Sequence, residues 1–156
     1  MSLIAERLKA LGLELPRANP TTFDYQPAIR HGKTICVAGQ IPKLDKATLI
    51  RTGRIGETVG LDDARLAVRT CMLNALAWID ELTCTDQARV AQILRVNYFF
   101  QVGAANPLSL SELADTGSGL LVEVFGEPGR HPRSVLGVVE LPRNAPVLID
   151  MDVLLG

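Results

Sequence analysis

The feature that most constrains the fold is a stretch near the end of the chain, residues 147–155, in which one face of an extended strand would be wholly apolar. That face carries Val147, Ile149, Met151, Val153 and Leu155, and the opposite face carries Leu148, Asp150, Asp152 and Leu154. A period of two is typical of a half-buried strand. A second stretch, 133–141, has few charges and precedes it across a turn with a proline at each end. We expect these two strands to form a hairpin.

Arg133 stands at the first position of the earlier of these two strands. A guanidinium carries a rigid fork of donors that matches a carboxylate in a bidentate manner. Held at the end of a strand, it could keep a small acid in one orientation. The alternative is that Arg133 pairs with a structural carboxylate or extends along the sheet edge to reach solvent. The residue alone leaves both interpretations open.

The rest of the chain predicts a mixture of helices and strands. The pattern predicts a helix over 2–11, strands over 23–30 and 34–41 joined by a turn at 31–33, a helix over 61–82, a connector over 83–88, a strand over 90–102 and a helix over 110–125. With the two C-terminal strands, this order predicts an α+β (α/β sandwich) fold with at least five strands. We expect the helices to cover one sheet face, and the other face to need a partner, most simply a second subunit.

Two elements carry detailed predictions. The helix over 61–82 has one apolar stripe, formed by Leu61, Ala64, Val68, Cys71, Ala75, Ile79 and Leu82, and the strand over 90–102 has one apolar face, formed by Leu94, Val96, Tyr98, Phe100 and Val102. Gly39 lies inside the strand over 34–41. A glycine there indicates either close approach of a ligand or of another backbone, or a bulge.

Composition excludes several classes of function. The net charge is −1 and no basic block is present, so the electrostatic signature of a nucleic-acid-binding protein is absent. The three cysteines match no metal pattern, and the two histidines, His31 and His131, are far apart, so we expect no metal and no cofactor. His131 lies near Ser134, but a catalytic pair there is not expected. No signal peptide or membrane span is visible, which favours the cytoplasm.

Several spaced motifs are similar to those of a known family. The run Val37-Ala38-Gly39-Gln40-Ile41-Pro42 resembles its small-residue, Gly-Gln, aliphatic and Pro stretch, and Arg133-Ser134 followed by Val138 and Leu141-Pro142 resembles its second signature. The helix bearing Ala67, Leu73, Asn74 and Leu76 is also similar. On these residues the chain resembles the Rid family, also called YjgF or L-PSP endoribonuclease-like. The likeness covers about residues 20–155, so residues 1–19 are expected to be an added helix and connector before a single domain, 20–156.

The resemblance implies a chorismate-mutase-like fold, in which a sheet is backed by two helices and three subunits form a central barrel with clefts between them. The activity that it implies is hydrolysis of reactive enamines and imines, such as 2-aminoacrylate, to a 2-keto acid and ammonia. Some family members are instead described as ribonucleases or translation inhibitors.

The resemblance also implies roles for individual residues. Arg133 matches the arginine that holds the substrate carboxylate, Tyr25 an aromatic residue that closes the cleft, and Gly39 a glycine whose backbone faces the ligand. Val135 falls where a backbone N–H contacts the ligand, and the neighbouring Ser134 is included among the expected substrate contacts.

Two positions depart from the family pattern. Leu148 stands where an acidic residue is expected to position the attacking water. Ser118, which stands near an expected asparagine, is included among the expected substrate contacts. Asp150 lies on the same strand face as Leu148, about 6.8 Å further along, and is the candidate to replace the missing acid.

Three functions follow from this reading. The first is an enamine or imine deaminase with Arg133 and Asp150 as catalytic residues. The second is a homotrimer that binds a small carboxylate in its clefts without turnover, because Leu148 replaces the acid. The third, an RNA-cleaving protein, has the least support from the charge balance.

Overall fold

The computed structural model describes residues 1–85 and 89–156, and its elements follow the predicted order. The helices are α1 (Leu3–Ala10), α2 (Leu61–Thr83) and α3 (Leu110–Phe125), and the strands are β1 (Ala28–His31), β2 (Thr34–Gln40), β3 (Val90–Gln101), β4 (Arg133–Val138) and β5 (Val147–Leu155). Short 3-10 turns lie at Glu127–Gly129 and Pro142–Asn144. The α+β prediction is therefore confirmed.

The described strands form one five-stranded sheet in the order β1-β2-β5-β3-β4. β3 and β4 are parallel, and the other neighbours are antiparallel. The predicted hairpin of β4 and β5 is therefore wrong, because β3 lies between them. The α3 crossover makes β4 a parallel edge strand on β3, and β5 instead fills the place between β2 and β3, antiparallel to both.

The core lies between the sheet and helices α2 and α3. Every residue of the predicted stripe on α2 between Ala64 and Ile79 is fully buried, whereas Leu61 in the first turn is 38% exposed. The apolar face of β5 is buried along its whole length, as the alternation predicted. The helices therefore cover one sheet face only, and the period of the hydrophobic pattern identifies the residues that face it.

The predicted apolar face of β3 is correct for Val96, Tyr98 and Phe100 but wrong for Leu94. The pairing of β3 with β5 shifts between Ile93 and Arg95, which marks a bulge. An extra residue in a bulge reverses the alternation on one side of it. Ile93 is consequently buried, while Leu94 is 39% exposed.

Two predicted boundaries differ from the structure. The first strand begins at Ala28 rather than residue 23, because Pro27 accepts a hydrogen bond from the Ala38 N–H at 2.8 Å but has no N–H to extend the ladder. Thr83, predicted in the connector over 83–88, is the last residue of α2. Residues 86–88 of that connector lie outside the described part of the chain.

The N-terminal helix belongs to the same core as the rest of the chain. Ser2 caps α1 by accepting a hydrogen bond from the Ala5 N–H at 3.2 Å. Ile4 and Leu8 are buried in the cluster that α2, α3 and the sheet share. The division of the chain at residues 19 and 20 stays a prediction.

The sheet face away from the helices, here called the open face, is only partly covered in the single chain, where Phe99 and Leu148 pack against Ile41, Leu141 and Ala145. Pairing places Leu136, Phe99 and Leu148 in one apolar row across β4, β3 and β5. Leu136 is 49% exposed. In the next row, the Asn97 side chain donates to Asp150 at 2.7 Å. This open face therefore carries an apolar band beside a polar one.

Candidate functional site

Arg133 lies at the edge of the sheet and points toward α3. Its register partner on β3 is Val96, which is buried under the helices. The guanidinium forms an ion pair with Asp115, with 2.8 Å between Nη1 and Oδ1, and its side chain is 25% exposed. Nη1 also donates to the Ser118 hydroxyl at 3.1 Å, and Nη2 donates to the Ser111 carbonyl at 3.2 Å. The guanidinium is thus fixed by α3 and still reachable from solvent.

The three contacts come from one face of α3, because Ser111, Asp115 and Ser118 follow each other at spacings of four and three residues. The helix begins at a cap in which Ser109 accepts from the Glu112 N–H at 3.4 Å. The start of the helix is therefore defined by sequence, and the spacing then aims all three groups at β4.

An open cavity of about 350 Å³ lies beside the guanidinium. It is lined by Asp115, Ser118, Gly119, Val122, Arg130, His131 and Arg133. A Cβ built at Gly119 would meet no atom within 4 Å, so this glycine leaves the cavity floor open. Two guanidinium groups and an imidazole outnumber the single carboxylate in this lining, that of Asp115, which suits a small anionic ligand.

Ser118 lies at the centre of a hydrogen-bonded cluster at this cavity. Its hydroxyl is 2.9 Å from the Tyr98 hydroxyl and 3.0 Å from His131 Nε2. Tyr98 is fully buried, and this burial raises its pKa to about 12, so it keeps its proton. Gly117 permits this approach, because a Cβ there would lie 2.8 Å from the Tyr98 hydroxyl. Gly117, a residue type that lowers helix stability, therefore lets the Tyr98 hydroxyl approach α3.

Both ring nitrogens of His131 take part in hydrogen bonds. Its Nδ1 is 2.6 Å from the Gly129 carbonyl oxygen. Gly129 is itself packed so closely on α3 that a Cβ would lie 2.2 Å from the Leu121 carbonyl oxygen. Burial, followed by the Arg133 charge, lowers the pKa of His131, although the Gly129 hydrogen bond opposes the shift. A neutral imidazole in a fixed orientation results.

Sequence reasoning missed this histidine as a site residue. The sequence places His131 near Ser134 without indicating a catalytic pair, whereas the structure pairs His131 with Ser118, thirteen positions away. The signal that was available is the position of His131 two residues before Arg133, on the loop that enters β4.

Of the other predicted site residues, Ser134 and Asp150 lie on the open face. Asn97 on β3 pairs with Ser134 on β4 and with Asp150 on β5, so the three residues lie in one row across the sheet. The pKa of Asp150 is raised by burial, against the effect of its Asn97 hydrogen bond. Arg133 points to the helix side, so within one chain Asp150 and Arg133 lie on opposite faces of the sheet.

Tyr25 and Gly39 lie toward the other edge of the sheet. Tyr25 precedes β1 and is 48% exposed. Gly39 is on β2, three strand spacings from β4, or about 14 Å at the usual separation of strands. A single chain therefore brings Ser118 to Arg133 but does not bring Tyr25 or Gly39 there. Val135 is partly buried and packs against the core from the edge strand.

No group of metal-binding side chains is found among residues 1–85 and 89–156. In the same part of the chain, no helix is both long and apolar enough to cross a membrane.

Comparison with known proteins agrees with this architecture. The sequence profile of the YjgF/chorismate mutase-like family, described as candidate endoribonucleases, matches residues 5–153. Protein TCP17 of Trypanosoma cruzi is 31% identical over 148 residues, which cover 94% of this chain and 91% of that protein. This chain is therefore a member of the YjgF/chorismate mutase-like family, also called the Rid family.

Two solved structures support the same assignment. Atu1372 of Agrobacterium tumefaciens, a protein of unknown function, is 30% identical and superimposes with a TM-score of 0.84, covering 98% of this chain and 92% of its own. A candidate endoribonuclease from Shewanella oneidensis is 30% identical, with a TM-score of 0.87 and coverage of 97% and 98%. The family resemblance and the chorismate-mutase-like fold predicted from the motifs are confirmed.

Proposed function

We propose that this protein hydrolyses small 2-imino and 2-enamino acids to 2-keto acids and ammonia. The observation that carries the proposal is the Arg133 guanidinium, which contacts three groups on one face of α3 and borders an open cavity. Membership of the YjgF/Rid family supplies the class of reaction.

In this proposal the substrate carboxylate replaces Asp115 on the guanidinium. The Asp115 side chain is 68% exposed, so it can turn to solvent at little cost. A carboxylate bound at Arg133 places the adjacent imine carbon over the cavity that Ser118 and His131 line. Because such imines are already reactive in water, orientation and proton transfer are the main contributions required.

We further propose that the complete cleft forms between subunits of a homotrimer. β1 and β2 lie at one edge of the sheet and β4 at the other. If three sheets close into a ring, Tyr25 and Gly39 of one copy meet Arg133 of the next. The exposed Leu136 side chain, at 49% exposure, supports this assembly, since it would be covered inside the ring. Asp150, on the open face, would join the site only across such an interface.

No cofactor is needed for this reaction. All three cysteines are free, which is consistent with the proposed cytoplasmic location.

A second candidate function is binding of a small carboxylate without turnover. The observation that favours it is Leu148, which stands at the expected position of the acid and packs with Ile41, Leu141 and Ala145. The test must therefore separate binding from hydrolysis.

The test is hydrolysis of 2-aminoacrylate, generated in situ, by the wild-type protein and by Arg133→Ala. We expect the wild type to accelerate ammonia release and Arg133→Ala to abolish the acceleration. Arg65→Ala, at an exposed position on α2, is the matched control and should behave as wild type. Calorimetric binding of pyruvate without any acceleration would establish the binding function instead. An undiminished rate in Arg133→Ala would remove Arg133 from the mechanism.

A further inference from the structure

The hydrogen-bond geometry around His131 determines where its proton lies. A backbone carbonyl oxygen can only accept, so Nδ1, at 2.6 Å from the Gly129 oxygen, carries the hydrogen. In the neutral ring Nε2 is then an acceptor. The Ser118 hydroxyl, 3.0 Å away, must donate to it.

This assignment completes the hydrogen bonds of Ser118. A hydroxyl has one hydrogen to donate and two lone pairs to accept with. The hydrogen goes to His131, and the two lone pairs accept from Arg133 Nη1 at 3.1 Å and from Tyr98 at 2.9 Å. Tyr98 is the donor, because the single hydrogen of Ser118 already goes to His131. Because the Ser118 oxygen accepts from two donors, one of them cationic, the Ser118 hydroxyl gives its proton to His131 more readily.

The groups that face His131 come from three elements. They are Asp115 and Ser118 on α3, Tyr98 on β3, and Arg130 and Arg133 beside the histidine itself. Arg130 forms an ion pair with Glu127, with 3.0 Å between its Nε and the carboxylate oxygen, and both side chains are exposed. The imidazole, by contrast, is half-buried and faces the cavity, where a ligand held by Arg133 would lie.

We propose that Ser118 and His131 form the proton-transfer pair of this site. When the substrate carboxylate takes the Arg133 Nη1 hydrogen from Ser118, the freed lone pair of the Ser118 hydroxyl accepts from the attacking water, and His131 Nε2 receives the proton through Ser118. This inference rests on the proposed function. It supplies the base that neither Leu148 nor Asp150 provides on the Arg133 side of the sheet.

The proton transfers balance over two steps. The starting species is the protonated imine, which 2-aminoacrylate forms by taking up a proton from solvent at its CH2 carbon. The oxygen of water bonds to the carbon of this protonated imine, and the C=N π pair moves to nitrogen. The water proton passes to the Ser118 oxygen while the Ser118 proton passes to His131 Nε2, which leaves a neutral carbinolamine and an imidazolium. The imidazolium proton then returns through Ser118 to the carbinolamine nitrogen. The C–N bond breaks, its pair leaves with ammonia, the C=O bond forms, and the hydroxyl proton goes to solvent.

The roles of Arg133 and His131 predict different kinetic changes. Loss of a positioned proton-transfer group typically lowers kcat by about 100-fold or more. We therefore expect His131→Gln to lower kcat on 2-aminoacrylate by about 100-fold with little change in KM, because Gln accepts a hydrogen bond but takes no proton. Ser118→Ala should lower kcat similarly. Arg133→Ala should instead raise KM, which abolishes the acceleration at substrate concentrations well below the KM of the variant.

The pH profile is a second readout. The wild-type kcat should fall with decreasing pH as His131 becomes protonated, and the profile of His131→Gln should be flat over the same range. His31→Gln, at the other histidine of the chain, is exposed on β1 and should match the wild type. Circular dichroism melting checks that each variant folds.

The outcomes separate this inference from the proposed function. If the wild type accelerates hydrolysis and His131→Gln keeps its kcat and pH profile, the inference is wrong and the deaminase proposal stands. If His131→Gln is impaired but Ser118→Ala is not, the transfer through Ser118 is wrong. If the wild type produces no acceleration, both the proposed function and the inference fall.

Discussion

Gly39 and Leu148 occupy a space in which only one side chain fits. A Cβ built at Gly39 would lie 2.5 Å from Cδ2 of Leu148, 2.8 Å from its Cγ and 2.9 Å from its Cδ1. Leu148 stands where the family resemblance places an acidic residue. The missing acid and the strand glycine are thus parts of one packing contact, and Gly39 lies within the segment between Val37 and Gln40 where β2 shifts its pairing with β5.

The space around Gly39 and Gly119 predicts that alanine at these two positions changes stability in opposite directions. Gly39→Ala should destabilise the protein by about 1–3 kcal/mol, the usual cost of overpacking. Adding Leu148→Ala should recover part of that loss, because it removes the overlapping atoms. Gly119→Ala, where the Cβ meets nothing within 4 Å, should instead stabilise α3 by about 0.5–1 kcal/mol. Urea denaturation of the variants measures these differences, and additive effects at Gly39 and Leu148 would contradict the packing argument.

The ion pair of Arg133 with Asp115 predicts competition with ligands. Because the Asp115 carboxylate occupies Nη1 at 2.8 Å, Asp115→Asn should tighten pyruvate binding about two- to fivefold, in line with the small energies of exposed ion pairs. Glu123→Gln, an exposed charge on the same helix, is the matched control. Isothermal titration calorimetry measures both. Weaker binding in Asp115→Asn would mean that the carboxylate orients the guanidinium for the ligand rather than competing with it.

The lowered pKa of His131 predicts how stability depends on pH. The unfolded chain takes up a proton on this histidine near its usual pKa of about 6.5, whereas the folded chain does so only at lower pH. The free energy of unfolding should therefore decrease as pH falls below about 6.5, and this loss should level off below the folded-state pKa.

His131→Gln isolates that contribution. The variant should lose less stability than the wild type between pH 7 and pH 5. The raised pKa of Asp150 acts in the opposite sense but is common to both proteins. Equal slopes in His131→Gln and the wild type, from urea denaturation at each pH, would show that His131 titrates as in the unfolded chain.

The open face predicts an assembly that one charge should disrupt. Leu136→Asp puts a carboxylate into the apolar row with Phe99 and Leu148, where its burial between subunits would be costly. We expect the wild type to sediment as a trimer and Leu136→Asp as a monomer in analytical ultracentrifugation. Leu66→Asp, on the outer side of α2 at 36% exposure, should leave the assembly unchanged. A Leu136→Asp trimer would place the subunit interface elsewhere.

Local patterns were sufficient to predict the elements and their buried faces. The alternation over 147–155 and the stripe over 64–79 reflect the periods of a strand and a helix, and burial follows these periods directly. The prediction failed at Leu94, where a bulge interrupts the period. One inserted residue reverses which side chains face the core, and the composition of the strand does not indicate it. The motif around Arg133 was likewise readable, since its residues are consecutive.

The sequence by itself determined the α+β class, the family, and the arginine at the start of β4. Tertiary structure alone decided that β3 separates β4 from β5, that Asp150 lies behind the sheet from Arg133, and that His131 meets Ser118 and Tyr98. The physical reason is that periodicity and local motifs depend on neighbours along the chain. The cluster at Ser118 depends instead on a helix crossing over a sheet, which joins residues from three elements that no local pattern relates.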